Sequence, residues 1–484
     1  MNKPNIFMYV VDQMRADSLH HLGCEASQTP NLDQLAKEGV SFSNAFCQNP
    51  VCVPSRCSFM TGWYSHTKGH RTMNFCLEPG DPNLLLELKE AGYHVYWLGR
   101  NHFIPADQQE RIMECCDYRF LGSEMTTASI HGFTGKSPEE IKEDEDYYSF
   151  YKGKMSQKEA DDQLDHVLSR HAVELIRSGQ LKEPFCLYIA GILPHPPYEV
   201  EEPWYSLIDR EKIRLPRPSI SGLKDKASML YGIYGRCNMQ NYSLEKFQNL
   251  RGVYLGMVTC VDQLFGNIVD ALKQENLYDS TNIVFFSDHG DYTGDYGLTE
   301  KSQNTFEDPL TNVPLIIKPA KGIAVKPRIT PALTELIDIG QTLADLGGTT
   351  LKHTQFGKSL RNVLAGEDDN RDAVFCEGGR IHGETQAMET LRSPDSIYWP
   401  RIKTQNEEGP QHTKAVMERN LKYKYIYRLY EKDEFYDLEQ DPEECRNEIE
   451  NPCYSGIVAE MKERMLRFLV ETGDFVPNRK DRTR

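Results

Sequence analysis

Ile6-Phe7-Met8-Tyr9-Val10-Val11-Asp12-Gln13 is the stretch whose reading decides the fold. A short apolar run of this kind makes a parallel strand covered on both faces. The same texture recurs at 93–98, 185–192, 282–286 and 313–317. Helix-like segments lie between these runs. Residues 31–38 are closed by Gly39, and 83–91 follow Asp81-Pro82, read as an N-cap with proline at the first helical position. Residues 160–176 read as an amphipathic helix covering the sheet. In 245–277, Phe247, Leu250, Tyr254, Met257, Val261, Leu264, Ile268 and Leu272 return every three or four residues. Strand and helix alternating in this way predict an α/β fold, a large mostly parallel sheet sandwiched by helices. Residues 329–346 read as a further helix. From about residue 370 charge and turn signals increase, with antiparallel strands expected at 422–430 and 434–438 and a closing helix at 456–471. We therefore expect a catalytic domain over 1–370 and a smaller C-terminal α+β subdomain over 371–484.

Composition narrows the function. The 484 residues carry 55 Lys+Arg against 72 Asp+Glu, a formal net charge of -17. That balance argues against a nucleic-acid binder, which needs a basic face. It does not forbid an anionic substrate, because a few local cations outweigh a diffuse distant field. Mean hydropathy is -0.58, and we read no long uncharged apolar stretch that would cross a membrane. The 13 cysteines are odd in number and scattered, with no CxxC pair. They point to a reducing compartment, and with no secretory leader read at the N-terminus the expectation is a cytoplasmic protein. Homo-oligomerisation is left open.

In open α/β sheets, ligands bind beyond the carboxyl ends of the strands. Asp12-Gln13 follows the first expected strand, Arg100-Asn101-His102 the second, His195 the third and Asp288-His289-Gly290 the fourth. Four strand ends that all carry metal ligands or acid/base groups suggest one site. The densest signal is Cys52-Val53-Pro54-Ser55-Arg56, continuing to Thr61-Gly62. Pro54 suits the first turn of a helix, which puts Cys52 at its N-terminus, where unpaired N–H groups and the dipole favour an anion. Arg56 adds a bidentate cation. On physics alone Cys52 reads as a nucleophile, a reactive thiolate or a buried structural cysteine. Cys47 and Cys57 read as structural.

Cys-x-Pro-Ser-Arg followed by Thr-Gly resembles the signature of the formylglycine-dependent sulfatases of the alkaline-phosphatase superfamily. The resemblance runs from Asp12 to Tyr436-Asp-Leu-Glu-Gln-Asp-Pro442. It implies that Cys52 is oxidised by a formylglycine-generating maturation enzyme, and that the hydrated aldehyde is the nucleophile. It implies one divalent metal held by Asp12, Gln13, Asp288 and His289 with the residue-52 group. Calcium is the expected ion; manganese is the alternative that a histidine ligand favours. Arg56 would stabilise the nucleophile and the bound anion, Arg100 would stand where the family has lysine, and Lys301 would grip the sulfate. His195 would protonate the leaving oxygen, and His102 would deprotonate the second hydroxyl of the hydrate to expel sulfate. The implied substrate is a small-molecule or carbohydrate sulfate ester.

The chain departs from the common pattern at three places. Arg100 replaces lysine, Asn312 stands where arginine is frequent, and Asp12-Gln13 with Asp288-His289 resemble the branch that contains phosphonate monoester hydrolases. A phosphonate monoester or phosphodiester hydrolase is therefore the second expectation. A catalytically silent binder of sulfated glycans, with Cys52 unmodified, is the third. Residues 108–154 and 381–409 are expected to supply the substrate pocket. Tyr147, Tyr148 and Tyr151 read either as loop packing or as a sugar platform, and His66 and His70 either as substrate contacts or as exposed residues.

Overall fold

The computed structural model describes residues 3–122, 137–391 and 393–476; the remainder of the expected 108–154 pocket segment, residues 123–136, lies outside them. Eight strands form the main sheet. These are β1 (Asn5–Asp12), β2 (Val40–Phe42), β3 (His94–Gly99), β4 (Tyr118–Phe120), β5 (Phe185–Pro194), β6 (Thr281–Ser287), β7 (Leu315–Lys318) and β8 (Arg328–Thr330). Their order across the sheet is β8-β2-β7-β6-β1-β5-β3-β4. Of the eight, β7 runs antiparallel to both of its neighbours.

Every residue of β1 is buried, because helices cover both faces. The helices concerned are α1 (Pro30–Glu38), α2 (Cys52–Thr61), α3 (Leu84–Glu90), α4 (Leu164–Arg177), α5 (Leu244–Gln274) and α6 (Asp338–Leu346). Side chains alternate across a strand. Phe7, Tyr9 and Val11 therefore share a core with Leu32, Leu168 and Phe265, from α1, α4 and α5. Ile6, Met8 and Val10 share the opposite core with Phe59, Leu85 and Leu343, from α2, α3 and α6. This double cover explains the unbroken apolar run with which the chain begins.

Several elements differ from expectation. Residues 329–346 are not one helix: Pro331, lacking an N–H, separates β8 from the short strand Thr334–Glu335, and α6 begins only at Asp338. Residues 160–176 split at Gln163 into Gln157–Asp162 and α4. The cap of α3 is Asn83, whose side chain accepts from the Leu86 N–H. Asp81 instead accepts from the Glu78 N–H and pairs with Lys68 and His70. One helix, α5, is long and apolar enough to cross a bilayer by length and composition, contrary to our reading; 89% of that apolar segment is buried inside the protein.

Toward the C-terminus a four-stranded antiparallel sheet runs in the order β9 (Val374–Gly378), β10 (Ala415–Arg419), β11 (Tyr423–Arg428) and β12 (Glu434–Asp437). Helix α7 (Ser455–Thr472) packs on it through Val458, Met461, Met465 and Phe468. β9 and β10 were not anticipated, because both carry buried charged residues, Glu377, Glu418 and Arg419, that disguise the strand pattern.

Asp262 in the middle of α5 closes the N-terminus of α1. Its carboxylate accepts from the backbone N–H of Asn31 and of Leu32 and from the Asn31 amide, at 2.8–3.1 Å. Asp262→Ala leaves two helix N–H groups without acceptors. It should lower unfolding stability by about 2–4 kcal/mol in urea titrations.

Candidate active site

Four strand ends deliver the site, as the sequence suggested. Beyond β1, Gln13 adopts φ 72, a left-handed conformation that is rare outside glycine and concentrates at functional sites. Hydrogen bonds hold it there: its N–H donates to Asp288 Oδ1 at 3.1 Å, and its carbonyl accepts from Tyr254 Oη at 3.0 Å. Two glycines let neighbouring chains approach the site. A Cβ at Gly99, at the end of β3, would meet the Ala190 carbonyl oxygen at 2.2 Å; a Cβ at Gly290 would meet that of Pro309 at 1.9 Å. Arg100 and His289 are thereby set against β5 and the Pro309 turn.

Helix α2 starts at Cys52, directly opposite β1 and β6. Cys52 Sγ lies 3.5 Å from Asp12 Oδ1 and 3.1 Å from His289 Nε2. Asp12, Cys52, Asp288 and His289 bring one potential ligand atom each within 4.8 Å of one another, and all four are buried. His289 Nδ1 donates to the Gly290 carbonyl at 2.9 Å. Its Nε2 is therefore the lone-pair nitrogen, and it faces the cluster. Two carboxylates and an imidazole nitrogen fit a divalent ion that tolerates nitrogen. Gln13 stands at the edge of this group with both ends of its amide engaged: Nε2 donates to Asp291, and Oε1 accepts from Lys301 Nζ at 2.6 Å.

Cations surround the anionic centre. Arg56, with no exposed side-chain surface, donates from Nε to Asp288 Oδ2 at 2.8 Å and from Nη2 to Asp12 Oδ2 at 3.0 Å. Arg100 donates to the same Asp12 oxygen at 2.9 Å. Burial alone would raise the Asp12 carboxyl, but the Arg100 and Arg56 guanidiniums outweigh it and hold it well below the usual range. Burial, reinforced by Asp12, pushes the Cys52 thiol far up. Burial and Asp12 thus work against a thiolate at this position.

Lys301 Nζ lies 3.0 Å from His195 Nε2. His195 Nδ1 donates to the Pro196 carbonyl at 2.6 Å, so the imidazole can gain a proton only at Nε2. Burial, then the Lys301 charge, lowers its pKa well below the ordinary histidine value. Burial lowers the His102 pKa well below the ordinary histidine value, and the Arg100 and Arg56 charges lower it further against the opposing pull of Asp12. Its Nδ1 is buried with no hydrogen-bond partner among the described residues.

Sequence reasoning missed several supports. Asp291, three residues beyond Asp288, accepts from Gln13 and from Tyr198 Oη at 2.7 Å. Glu300 pairs with Lys301 at 3.0 Å and with Arg401 at 3.1 Å. Ser55 Oγ donates to the Asp288 carbonyl at 2.5 Å. The spacing of Asp288 and Asp291 and the Glu300-Lys301 adjacency were the available signals. Other residues prove structural. His66 bridges Glu377 and Thr472, and His70 is buried on Phe75 beside Asp81. Tyr147 and Tyr148 are core residues whose hydroxyls donate to the Asp395 and Pro394 carbonyls. Asn312 clamps the Ser43 and Ala45 carbonyls.

Comparison with known proteins agrees with this geometry. The sulfatase family model matches residues 4–349. A choline-sulfatase of Rhizobium meliloti is 27% identical over 93% of this chain and 83% of its own length. The crystal structure of a phosphonate monoester hydrolase of Agrobacterium radiobacter superposes with a TM-score of 0.75 at 22% identity, covering 97% of this chain and 96% of that one. A protein solved in complex with its substrate D-glucosamine-2-N,6-O-disulfate superposes with a TM-score of 0.73 at 19% identity, covering 99% and 100%. With the family match spanning the β1, α2, β3, β5 and β6 contributions to the site, the chain belongs to the sulfatase family, the sulfuric ester hydrolases.

Proposed function

We propose that this protein hydrolyses the sulfate monoester of a small polar molecule or sugar, with residue 52 as formylglycine and one divalent ion. The carrying observation is the convergence of Cys52, Asp12, Asp288 and His289 at one point ringed by Arg56, Arg100 and Lys301. Asp12, Asp288 and His289 would hold the ion, with Gln13 Oε1 beside them; manganese suits the imidazole better than calcium does. When bound, the ion would lower the pKa of a hydroxyl on the hydrated residue 52 and so supply a nucleophile at neutral pH. The sugar reading draws on the neighbour with a disulfated glucosamine substrate, and the small-molecule reading on the choline-sulfatase relative. Unpaired cysteines at all thirteen positions support a reducing, cytoplasmic setting, and the formylglycine-generating enzyme would be the one obligatory partner.

The chain's own residues then divide the work. Lys301 and Arg100 face the anion with fixed positive charge in a site shielded from water, where such charge acts strongly. Gln13 and Glu300 hold Lys301 in place. His195 Nε2, which meets Lys301 and is the one nitrogen of that ring that can take a proton, would pass it to the leaving oxygen. A bound sulfate monoanion favours the protonated imidazole, against the burial and the lysine that disfavour it in the free enzyme.

Cys52→Ala should abolish turnover of 4-nitrophenyl sulfate while the circular dichroism spectrum and urea midpoint stay near wild type; substantial residual activity would remove Cys52 from the nucleophile's place. His195→Ala should lower kcat by about 10²–10⁴ on an alkyl or sugar sulfate, whose alkoxide needs a proton. On 4-nitrophenyl sulfate the loss should be far smaller, since that phenolate leaves unaided. Equal losses on both substrates would exclude His195 as the acid.

A second reading, hydrolysis of phosphonate monoesters, is favoured by Gln13 and His289 in the ion-holding set. Parallel kcat/KM measurements on 4-nitrophenyl sulfate and phenyl phosphonate esters should favour the sulfate; a phosphonate preference by orders of magnitude would reverse the assignment. The third reading, a silent glycan binder, predicts an unmodified Cys52 in peptide mass spectra of protein from the native host, where we expect formylglycine.

A further inference from the structure

Away from the active site, three ligand-type side chains of different chemistry converge. His166 lies on α4, Cys260 on α5, and Glu201 just past the short strand Tyr198–Val200. His166 Nε2 is 2.9 Å from Glu201 Oε1 and 3.5 Å from Cys260 Sγ, and Sγ is 3.7 Å from Oε1. The centre of a triangle with these sides lies about 2.0 Å from each corner, and zinc bonds run about 2.0–2.1 Å to imidazole nitrogen, 2.0–2.2 Å to carboxylate oxygen and 2.3 Å to sulfur. An ion slightly out of the plane therefore meets all three atoms at bonding distance with little movement of the chain.

The surroundings suit a cation. Glu201 and Cys260 are buried, and His166 is the opening, with 14% of its side chain exposed. The charged groups acting on the Cys260 thiol are Glu201 and Asp165, both acidic. His382, Glu408 and His412 form another such group, but there Arg380 already occupies Glu408 at 2.7 Å. One thiolate, one imidazole and one carboxylate make a donor set typical of tetrahedral zinc, with water in the fourth position.

The geometry points to a second metal site in this protein: Zn²⁺ held by His166 Nε2, Glu201 Oε1 and Cys260 Sγ, with the fourth position open to water. On binding, Cys260 gives its thiol proton to solvent, the proton that His166 Nε2 shares with Glu201 moves to His166 Nδ1 by way of solvent, and Glu201 exchanges its contact with His166 for one with the ion, so that one proton is released in all. The site would join α4 and α5 to the chain leaving β5. Asp165, next to His166, accepts from the backbone N–H groups of Ile192 and Leu193 at 3.0 and 3.3 Å, three and two residues before His195 in the chain. Filling the site therefore braces the segment that carries His195.

Co²⁺ titration of chelator-treated Cys52→Ala protein tests this, since the active-site cluster then lacks a thiol. About one equivalent should produce a near-ultraviolet thiolate-to-Co²⁺ charge-transfer band and release about one proton. The band should vanish in Cys52→Ala/Cys260→Ala and in Cys52→Ala/His166→Ala, the latter replacing a partly exposed residue should the former fold poorly. Zn²⁺ should raise Tm by several degrees more in the Cys52→Ala protein than in either double variant, in all of which Asp12, Asp288 and His289 remain. Absence of the band, or its survival in the double variants, would overturn the proposal.

Discussion

The bridge that Arg56 makes between Asp12 and Asp288 is the interaction on which the rest of the site depends. It ties the end of β1 to the end of β6 from the first turns of α2. All three side chains are fully buried, where an unpaired charge is expensive and a paired one must be well bonded. The bridge thus fixes the approach of the helix N-terminus to the sheet edge, and with it the distance from residue 52 to the carboxylates. It also leaves one oxygen of each carboxylate on the far side from the guanidinium, toward His289 and Cys52.

A shell of polar contacts carries that order outward. Gln13 joins the anionic centre to the cationic side by linking Asp291 to Lys301. Glu300 then connects Lys301 to Arg401, which belongs to the helix Trp399–Gln405 in the expected pocket segment 381–409. A contact from the catalytic strand ends to the C-terminal part of the chain is therefore built of alternating charges. Such a chain positions Lys301 without neutralising the field it presents to an anion. The net charge of -17 has little bearing on this, because Arg100 and Lys301 stand within the cluster itself, against Asp12 and Gln13.

Legibility in the sequence followed the range of the interactions. Strands β1, β3, β5 and β6 and helix α5 were legible because double burial and helical period are local patterns. Polar residues at strand ends and the Cys52–Arg56 run named the central residues of the site. Asp291, Glu300 and Tyr198 were not found, because their partners lie across long stretches of chain and no local rule couples them. β9 and β10 were hidden by buried charges that only their distant partners neutralise. Where Pro331 interrupts an apolar segment, the local signal was present and was outweighed by the periodicity around it.

By itself the sequence determined the α/β class, the strand ends that carry chemistry, and Cys52 at a helix N-terminus with an arginine one turn on. Each follows from spacing along the chain, where backbone geometry decides which residues share a face. Only the tertiary structure decided what those residues do to one another. The arginines pull the Asp12 carboxyl down, burial and Asp12 push the Cys52 thiol up, and His195 can take a proton at one nitrogen alone. These states depend on burial and on charges that lie far off in the chain, Arg56 and Arg100 for Asp12, Asp12 for Cys52 and Lys301 for His195. The meeting of His166, Glu201 and Cys260 is of the same kind: three unremarkable positions in the chain, brought to metal-binding distance by the packing of two helices on a sheet.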